Sequence, residues 1–309
     1  MNFVKLFVVV MDKIILIGIG TYNRNELLDN CLKNIAKLIV PKDCQIRVVI
    51  SDNNPDKRAY QIYEKFCGNY PFEIYYEHES QKSIAAVRNV VLKKAVEIKA
   101  EYVAFLDDDE YPTLKWLDEL YSTMILFNAD GATSYPVRII DGVKQAIPSN
   151  YKRRKFGSVR KIFCTNSVIF SMKIVNESGI WFDTQFGLMT GEDVDFSSRA
   201  SANGYKFVWC DKELLYDIIP ANRETMEWKM DRAVNNGYLK IFLARKNGEK
   251  LFNKTLFKVL FDQMIFSILG LLVFWNEDLK NKCILKYMDC FGKLKSIYSN
   301  QIYEHYKRS

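Results

Sequence analysis

Tyr102-Val103-Ala104-Phe105-Leu106-Asp107-Asp108-Asp109-Glu110 is an apolar strand that runs into four consecutive acids. Carboxylates packed this closely repel one another unless positive charge lies among them. A divalent cation holding a diphosphate is the usual remedy. Oxygen ligands suit hard Mg²⁺ or Mn²⁺, which commonly take one or two protein carboxylates and complete their shell with phosphate oxygens. The carboxyl end of a buried strand is also where open α/β sheets place ligands. Taken alone, an acidic triplet reads as a solvated turn, so the rest of the chain has to decide.

Upstream, residues 14–19 read as a buried strand. Residues 26–38 carry Leu28, Leu32, Ile35 and Leu38 at helical spacing, and Pro41 stops that run. A second strand over 46–50 ends in the turn cluster Ser51-Asp52-Asn53-Asn54-Pro55. A third strand covers 72–76, and Ser83 is placed to cap a helix reaching about residue 99. Strands alternating with helices predict an α/β fold whose mostly parallel, Rossmann-like central sheet has helices on both faces. Three polar clusters follow strand ends: Thr21-Tyr22-Asn23-Arg24, Asp52-Asn53-Asn54, and Asp107 to Asp109. In a parallel sheet those ends share one edge, so the clusters converge.

The second half reads differently. Thr113 is expected to open a helix bearing Trp116, Leu117, Leu120, Tyr121 and Met124, and strands are expected near 131–139 and 163–170. The basic run Lys152-Arg153-Arg154-Lys155 reads as a solvated loop, or one closing over an anionic substrate, ahead of a nucleic-acid contact. From about residue 250 the character shifts again. Residues 264–275 are apolar except for Ser267 and Gly270, while Asp262 and Gln263 interrupt the longer stretch. Roughly a dozen apolar residues fall short of the twenty or so that a spanning helix needs. An interfacial or re-entrant helix, or one buried against the domain, fits better. Beyond it, Ile284, Tyr287, Met288 and Phe291 share a helical face among Lys280, Lys282, Lys286, Lys293 and Lys295. Peripheral attachment to an anionic leaflet and simple packing or oligomer contacts both stay open. The chain thus divides into 1–12 (extension or first strand start), 13–112, 113–249 and a helical region over 250–309.

Composition narrows the chemistry. With 309 residues and 49% hydrophobic content the chain can bury a sizeable core. A net charge of +7 favours anionic ligands or an anionic surface. The seven cysteines are odd in number and contain no Cys-x-x-Cys, which argues for reduced cytoplasmic thiols. Only His78 and His305 are present, far apart, which disfavours zinc and Ser-His-Asp chemistry. Residues 3–10 faintly imitate a secretory signal, but no small-residue cleavage site follows. Met11 therefore stands beside Met1 as a candidate start.

Six landmarks in order resemble the family 2 glycosyltransferases of the GT-A fold. They are Thr21-Tyr22-Asn23-Arg24 after the opening strand, Asp52, Ala86-Val87-Arg88-Asn89, the stretch Phe105 to Glu110, Gly191-Glu192-Asp193-Val194-Asp195-Phe196, and Arg223 with Arg232. The resemblance covers residues 13 to about 240. It implies an inverting, Mn²⁺- or Mg²⁺-dependent transfer of a sugar from a nucleotide donor, expected to be UDP-linked, to a hydroxyl. The implied acceptor is a glycan or lipid-linked glycan in surface polysaccharide synthesis, at the inner face of the cytoplasmic membrane. Residues 13–112 would bind the nucleotide sugar and 113–249 the acceptor.

The resemblance also implies roles. Asp52 would accept from the base, with Thr21 and Tyr22 lining its pocket and Asn23 and Arg24 in the same segment. Arg88 would lie beside base and diphosphate, where a permanently charged planar donor is useful. Asp107 and Asp109 match the Asp-x-Asp signature, Asp109 on the metal and Asp107 on the ribose or metal shell. Asp108, between them, joins the nucleotide-binding set. Asp193 matches the catalytic base and Glu192 would orient the acceptor, while Arg223 and Arg232 would supply positive charge to the leaving diphosphate. Asp217 stands where many relatives carry a metal-binding His, and Lys82 where a glycine is common. Plainer readings exist: Asp52 as a turn former, Arg88 as a surface ion pair, Glu192 and Asp193 as helix-dipole partners.

Rival functions are weaker. A non-catalytic sugar-nucleotide or glycan scaffold would not need both Asp109 and Asp193. A dinucleotide oxidoreductase is suggested only by Gly18-Ile19-Gly20, which lacks the third glycine of that fingerprint. A nucleotidyltransferase would need a Gly-rich, Arg- and Lys-bearing opening loop that is missing.

Overall fold

The structure, a computed structural model, describes residues 12–146, 154–249 and 254–299. The extension with its two candidate starts, Lys152, Arg153 and His305 lie outside the described residues. The first half runs β1 (Lys13–Thr21), α1 (Asn25–Ile35), β2 (Cys44–Asp52), α2 (Tyr60–Phe66), β3 (Glu73–His78), α3 (Ile84–Glu97), β4 (Tyr102–Asp107) and β5 (Glu110–Pro112). Then come α4 (Trp116–Leu126), β6 (Gly131–Thr133), β7 (Val137–Ile140), β8 (Val143–Lys144), β9 (Val159–Arg160), β10 (Val168–Ser171) and α5 (Lys173–Asn176). The remainder is α6 (Glu192–Ala202), β11 (Phe207–Trp209), β12 (Leu215–Ile219), α7 (Met226–Lys246), α8 (Lys254–Leu272) and α9 (Glu277–Tyr298).

Eight strands form the main sheet in the order β3-β2-β1-β4-β10-β6-β11-β9. β3, β2, β1 and β4 are mutually parallel, and β10 enters antiparallel between β4 and β6. The sheet therefore runs unbroken across residue 112. A smaller sheet, β5-β12-β7-β8, stands beside it. One face of the main sheet packs Leu28 and Leu32 of α1 and Trp116 and Leu120 of α4 on Ile15, Ile17 and Ile19. The other packs Val91 and Leu92 of α3 and Phe196 and Ala200 of α6 on Leu16, Phe105 and Phe170.

Glycine at 18 and 20 is a packing requirement. A Cβ at Gly18 would collide with Val91, and one at Gly20 would lie 2.8 Å from Val87. These glycines let α3 lie directly on β1. Ser83 caps α3 as expected, its Oγ accepting from Ala86 N at 3.3 Å.

Three expectations shift. The helix expected from Thr113 begins at Trp116, because Thr113 N donates to Leu214 O at 2.8 Å and keeps the chain extended. The strand expected over 131–139 divides into β6 in the main sheet and β7 in the small one, on either side of Ser134-Tyr135-Pro136, where proline has no N–H for a ladder. The strand expected over 163–170 is confined to β10.

α8 is longer than its uninterrupted apolar run, since Asp262 and Gln263 sit within the helix without ending it. Its apolar side chains point outward: Phe257 is 73% exposed and Leu271 74%, with Trp275 just beyond also at 74%. By length and composition it is one helix among the described residues that could cross a membrane. It packs on α9, and α9 packs on α7. A Cβ at Gly237 of α7 would collide with the Asp289 carbonyl, and one at Gly292 of α9 with the Val234 carbonyl, so the two backbones touch.

Asp289 accepts from Lys240 at 2.6 Å and pairs with Lys293 at 2.7 Å. Burial pushes its pKa up, but the hydrogen bonds from these two lysines outweigh that and hold it below the ordinary range. A carboxyl depressed in the folded state adds stability above its unfolded value of about 3.9 and loses it as pH falls through the folded value. Wild type is expected to lose more stability than Asp289→Asn between pH 5 and pH 3. Thermal unfolding of both proteins checks this, and parallel curves would contradict it.

Candidate active site

Strand register puts the polar clusters in one row. Thr21 pairs with Asp52 across β1 and β2, and Gly20 with Asp107 across β1 and β4. All three strands end there. Above the row opens a cavity of about 870 Å³, lined by Thr21, Tyr22, Arg24, Arg88, Asp107, Asp108, Asp109 and Arg223 among others.

The acids are tied to it by short bonds. Thr21 Oγ1 donates to Asp108 Oδ2 at 2.7 Å. Arg24 Nη1 donates to Asp108 Oδ1 at 2.9 Å and Asp109 Oδ2 at 3.1 Å. Arg223 Nη2 reaches the same Asp109 oxygen at 3.3 Å. Glu110 turns back to accept from Asp107 N at 3.0 Å, and Asp217 stands opposite Glu110 in the β12–β5 ladder.

This many carboxylates cannot all ionise freely. Burial pushes Asp108 up to about 7, with Asp109 adding to it and Arg24 and Thr21 opposing. Burial, then the charge of Asp109, raises Asp217 to about 6 against Arg223. Asp107 and Glu110 are raised too, burial first in both. The cluster thus has more negative charge than its arginines neutralise, which is the environment a hard divalent cation relieves. No cage of three or more His, Cys, Asp or Glu is preformed among the described residues. The donor set fits an ion held by one or two carboxylates and completed by phosphate oxygens.

Asp193 enters from α6. Gly191, the residue before that helix, has φ 110°, which only glycine adopts readily, and a Cβ there would strike Leu239. The turn delivers Glu192 and Asp193 as the first two helical residues. Arg88, on the cavity wall, donates to Glu192 Oε1. Glu192 is buried, and its Oε2 has no hydrogen-bond partner among the described residues. Asn89, next along α3, is held by the Phe182 backbone, donating to Phe182 O at 2.8 Å and accepting from Phe182 N at 3.0 Å. The Cys164 thiol feels several of these groups at once. Crowding by the surrounding protein, then the Asp193 carboxylate, raises its pKa, while Arg88 and Arg232 oppose. Through its bond to Glu192, Arg88 ties the start of α6, where Asp193 follows, to the wall of the cavity that the acid cluster lines.

Three expected residues are placed elsewhere. Asp52 is buried, its Oδ1 accepting from Asn54 N at 2.8 Å and its Oδ2 from Ala59 N at 2.9 Å and Tyr76 Oη at 3.0 Å. Its carboxylate holds the turn after β2, and Asp52 does not line the cavity. Asn23, at φ 54°, accepts from Arg58 at 3.0 Å on the surface. Arg232 does not line this cavity but a second one between α7 and α9. Arg154, from the basic run, stacks 4.7 Å over the Trp209 ring.

Sequence reasoning missed the wall made by Asn222, Thr225, Trp228 and Asp231. The Thr225 cap of α7, whose Oγ1 accepts from Trp228 N at 3.3 Å, was the available signal. It marks a helix start, and nothing local says which cavity that start faces.

Comparison with known proteins agrees with this geometry. The profile of the family described as Glycosyl transferase family 2 matches residues 16–175. A succinoglycan biosynthesis protein, ExoM, of Rhizobium meliloti is 27% identical over 229 residues, covering 72% of each chain. Among solved structures, Staphylococcus aureus TarS residues 1–349 in complex with UDP-GlcNAc superposes with a TM-score of 0.57 at 19% identity, over 92% of this chain and 91% of that one. The mannosyltransferase PcManGT of Pyrobaculum calidifontis, in complex with GDP-Man and Mn²⁺, superposes with a TM-score of 0.63 at 13% identity, over 93% and 88%. The expected GT-A architecture is what these neighbours share.

Proposed function

The chain belongs to glycosyl transferase family 2, and from that premise we propose that it moves a sugar from a UDP-linked donor to a hydroxyl of a glycan or lipid-linked glycan, with inversion at the anomeric carbon. The observation that carries this reading is one cavity lined by the acid cluster and Arg88, with Arg88 bonded to Glu192, the residue before Asp193. The comparison proteins support the chemistry: one acts in succinoglycan synthesis and another is complexed with UDP-GlcNAc.

Thr21, Tyr22 and Arg24 would hold the nucleotide at the β1 edge. Asp109 and Asp107 would hold a Mn²⁺ or Mg²⁺ ion, with Asp217 adding negative charge nearby. When bound, that cation supplies electrostatic stabilisation to the departing diphosphate. Arg223, already on Asp109, adds a permanent positive charge for the same phosphate. Asp193 takes the proton of the acceptor hydroxyl as its oxygen bonds to the anomeric carbon. The bond from that carbon to the diphosphate oxygen breaks in the same step. Glu192 would orient the acceptor; Arg88 holds its Oε1, and its buried Oε2 has no hydrogen-bond partner among the described residues.

Incubation with UDP-sugars and Mn²⁺ in the presence of glycan acceptors, with the product's anomeric coupling read by proton NMR, tests this. A linkage of opposite configuration to the donor agrees. Retention, or no transfer and no hydrolysis across the common nucleotide sugars, would sink it.

The outward apolar face of α8 supports a site of action at the inner surface of the cytoplasmic membrane. Phe257→Ser/Leu271→Ser/Trp275→Ser is expected to cut co-flotation with anionic vesicles at least about tenfold, since each bulky side chain contributes on the order of 1.5 kcal/mol or more when buried. Undiminished flotation would assign that face to contacts between proteins.

A further inference from the structure

A second cavity, of about 640 Å³, lies between α7 and α9 and extends to Val194, the residue after Asp193. Trp228 lines both this cavity and the donor cavity, so the two adjoin at that indole. Its chemistry is divided. Lys229, Arg232 and Lys240 come from α7, and Lys282 and Lys286 from α9. Leu239, Leu243 and Leu285 contribute an apolar lining. The spacings of three, four and seven or eight along each helix put these side chains on one face.

Five cations thus face one carboxylate in the lining, Asp289, which Lys240 and Lys293 already hold. Lys229 pairs with Glu224 at 2.9 Å. Arg232, Lys282 and Lys286 form no hydrogen bond or ion pair among the described residues. Like charges left unpaired along one groove repel, and an anion placed between them removes that repulsion. A free phosphate would use the cations and leave the leucines idle. An amphiphile with a phosphate at the head of an alkyl chain uses both. α8, which packs on α9, offers the chain an outward apolar surface.

We propose that this groove binds the phosphate or diphosphate of a lipid-linked acceptor, held by Arg232, Lys282 and Lys286, so that the attached sugar is presented toward Asp193. The word acceptor rests on the glycosyl-transfer reading, whereas the binding site itself does not.

The test uses the full chain, with dodecyl diphosphate at monomeric concentration as the probe. A chelator is present so that the donor cavity holds no metal-bound diphosphate. Calorimetry is expected to show saturable binding that weakens at least tenfold in Lys282→Glu/Lys286→Glu. Both lysines are exposed, so the fold tolerates their replacement. Affinity for UDP with Mn²⁺, measured separately, is expected to be the same in both proteins. Equal probe affinity in the two proteins would overturn the proposal, and so would displacement of the probe by UDP alone. Loss of phosphatidylglycerol vesicle binding in the variant with probe binding unchanged would give the lysines to the leaflet instead, and also overturn it. If the wild type bound the probe but neither bound nor hydrolysed any nucleotide sugar, glycosyl transfer would fall and the anion site would stand.

Discussion

Asp109→Ala is expected to abolish metal-dependent donor binding. Asp109 is where two arginines converge, Arg24 at 3.1 Å and Arg223 at 3.3 Å. It is also the acid that the family signature places on the metal. Removing it takes away a cation ligand and leaves both guanidiniums without their shared oxygen. Metal stabilisation of a departing diphosphate amounts to several kcal/mol, so turnover should fall on the order of a thousandfold. Calorimetry with UDP plus Mn²⁺ provides the direct reading. An unchanged affinity would show that the ion, if bound, sits elsewhere.

Asp193→Asn is expected to split binding from chemistry. Asparagine keeps the size of the side chain at the start of α6 but cannot take a proton at neutral pH. A positioned general base contributes about 10²–10⁴-fold, so kcat should drop in that range while the affinity for UDP plus Mn²⁺ stays within a factor of about two. The unchanged donor affinity matters as much as the lost rate. It separates a missing base from a misfolded site, because α6 also supplies Glu192 to Arg88. Full activity in Asp193→Asn would move the base elsewhere and leave the position as a helix-dipole partner.

Legibility followed the range of the interactions. The parallel β1 to β4 half was readable because each strand is a short apolar run closed by a turn signal, and each helix carries a repeating apolar stripe. The convergence of Thr21 and Asp107 followed from the same alternation, since parallel strands end on one edge. Asp52 shows the boundary of that logic. Its position at the rim was readable, yet its carboxylate is taken up by Asn54, Ala59 and Tyr76. Tyr76 lies on a neighbouring strand whose register no local pattern reports.

Arg232 shows a different boundary. It lies nine residues after Arg223 and was grouped with it. In the structure Arg223 belongs to the turn before α7 and Arg232 to the helix itself, facing α9. The reach of α8 is longer than its apolar run suggests, because the helix continues through Asp262 and Gln263, which are half-buried while Phe261 and Met264 beside them are exposed.

The sequence by itself determined the α/β alternation, the family and the edge on which the acids gather, because these depend on periodicity and on short runs of residues. Only the tertiary structure decided how the acids are shared among Arg24 and Arg223, that Glu192 answers to Arg88, and that α7 and α9 enclose a cationic groove. Those outcomes depend on side chains from distant segments competing for the same few ångströms, and that competition is resolved only when the segments pack.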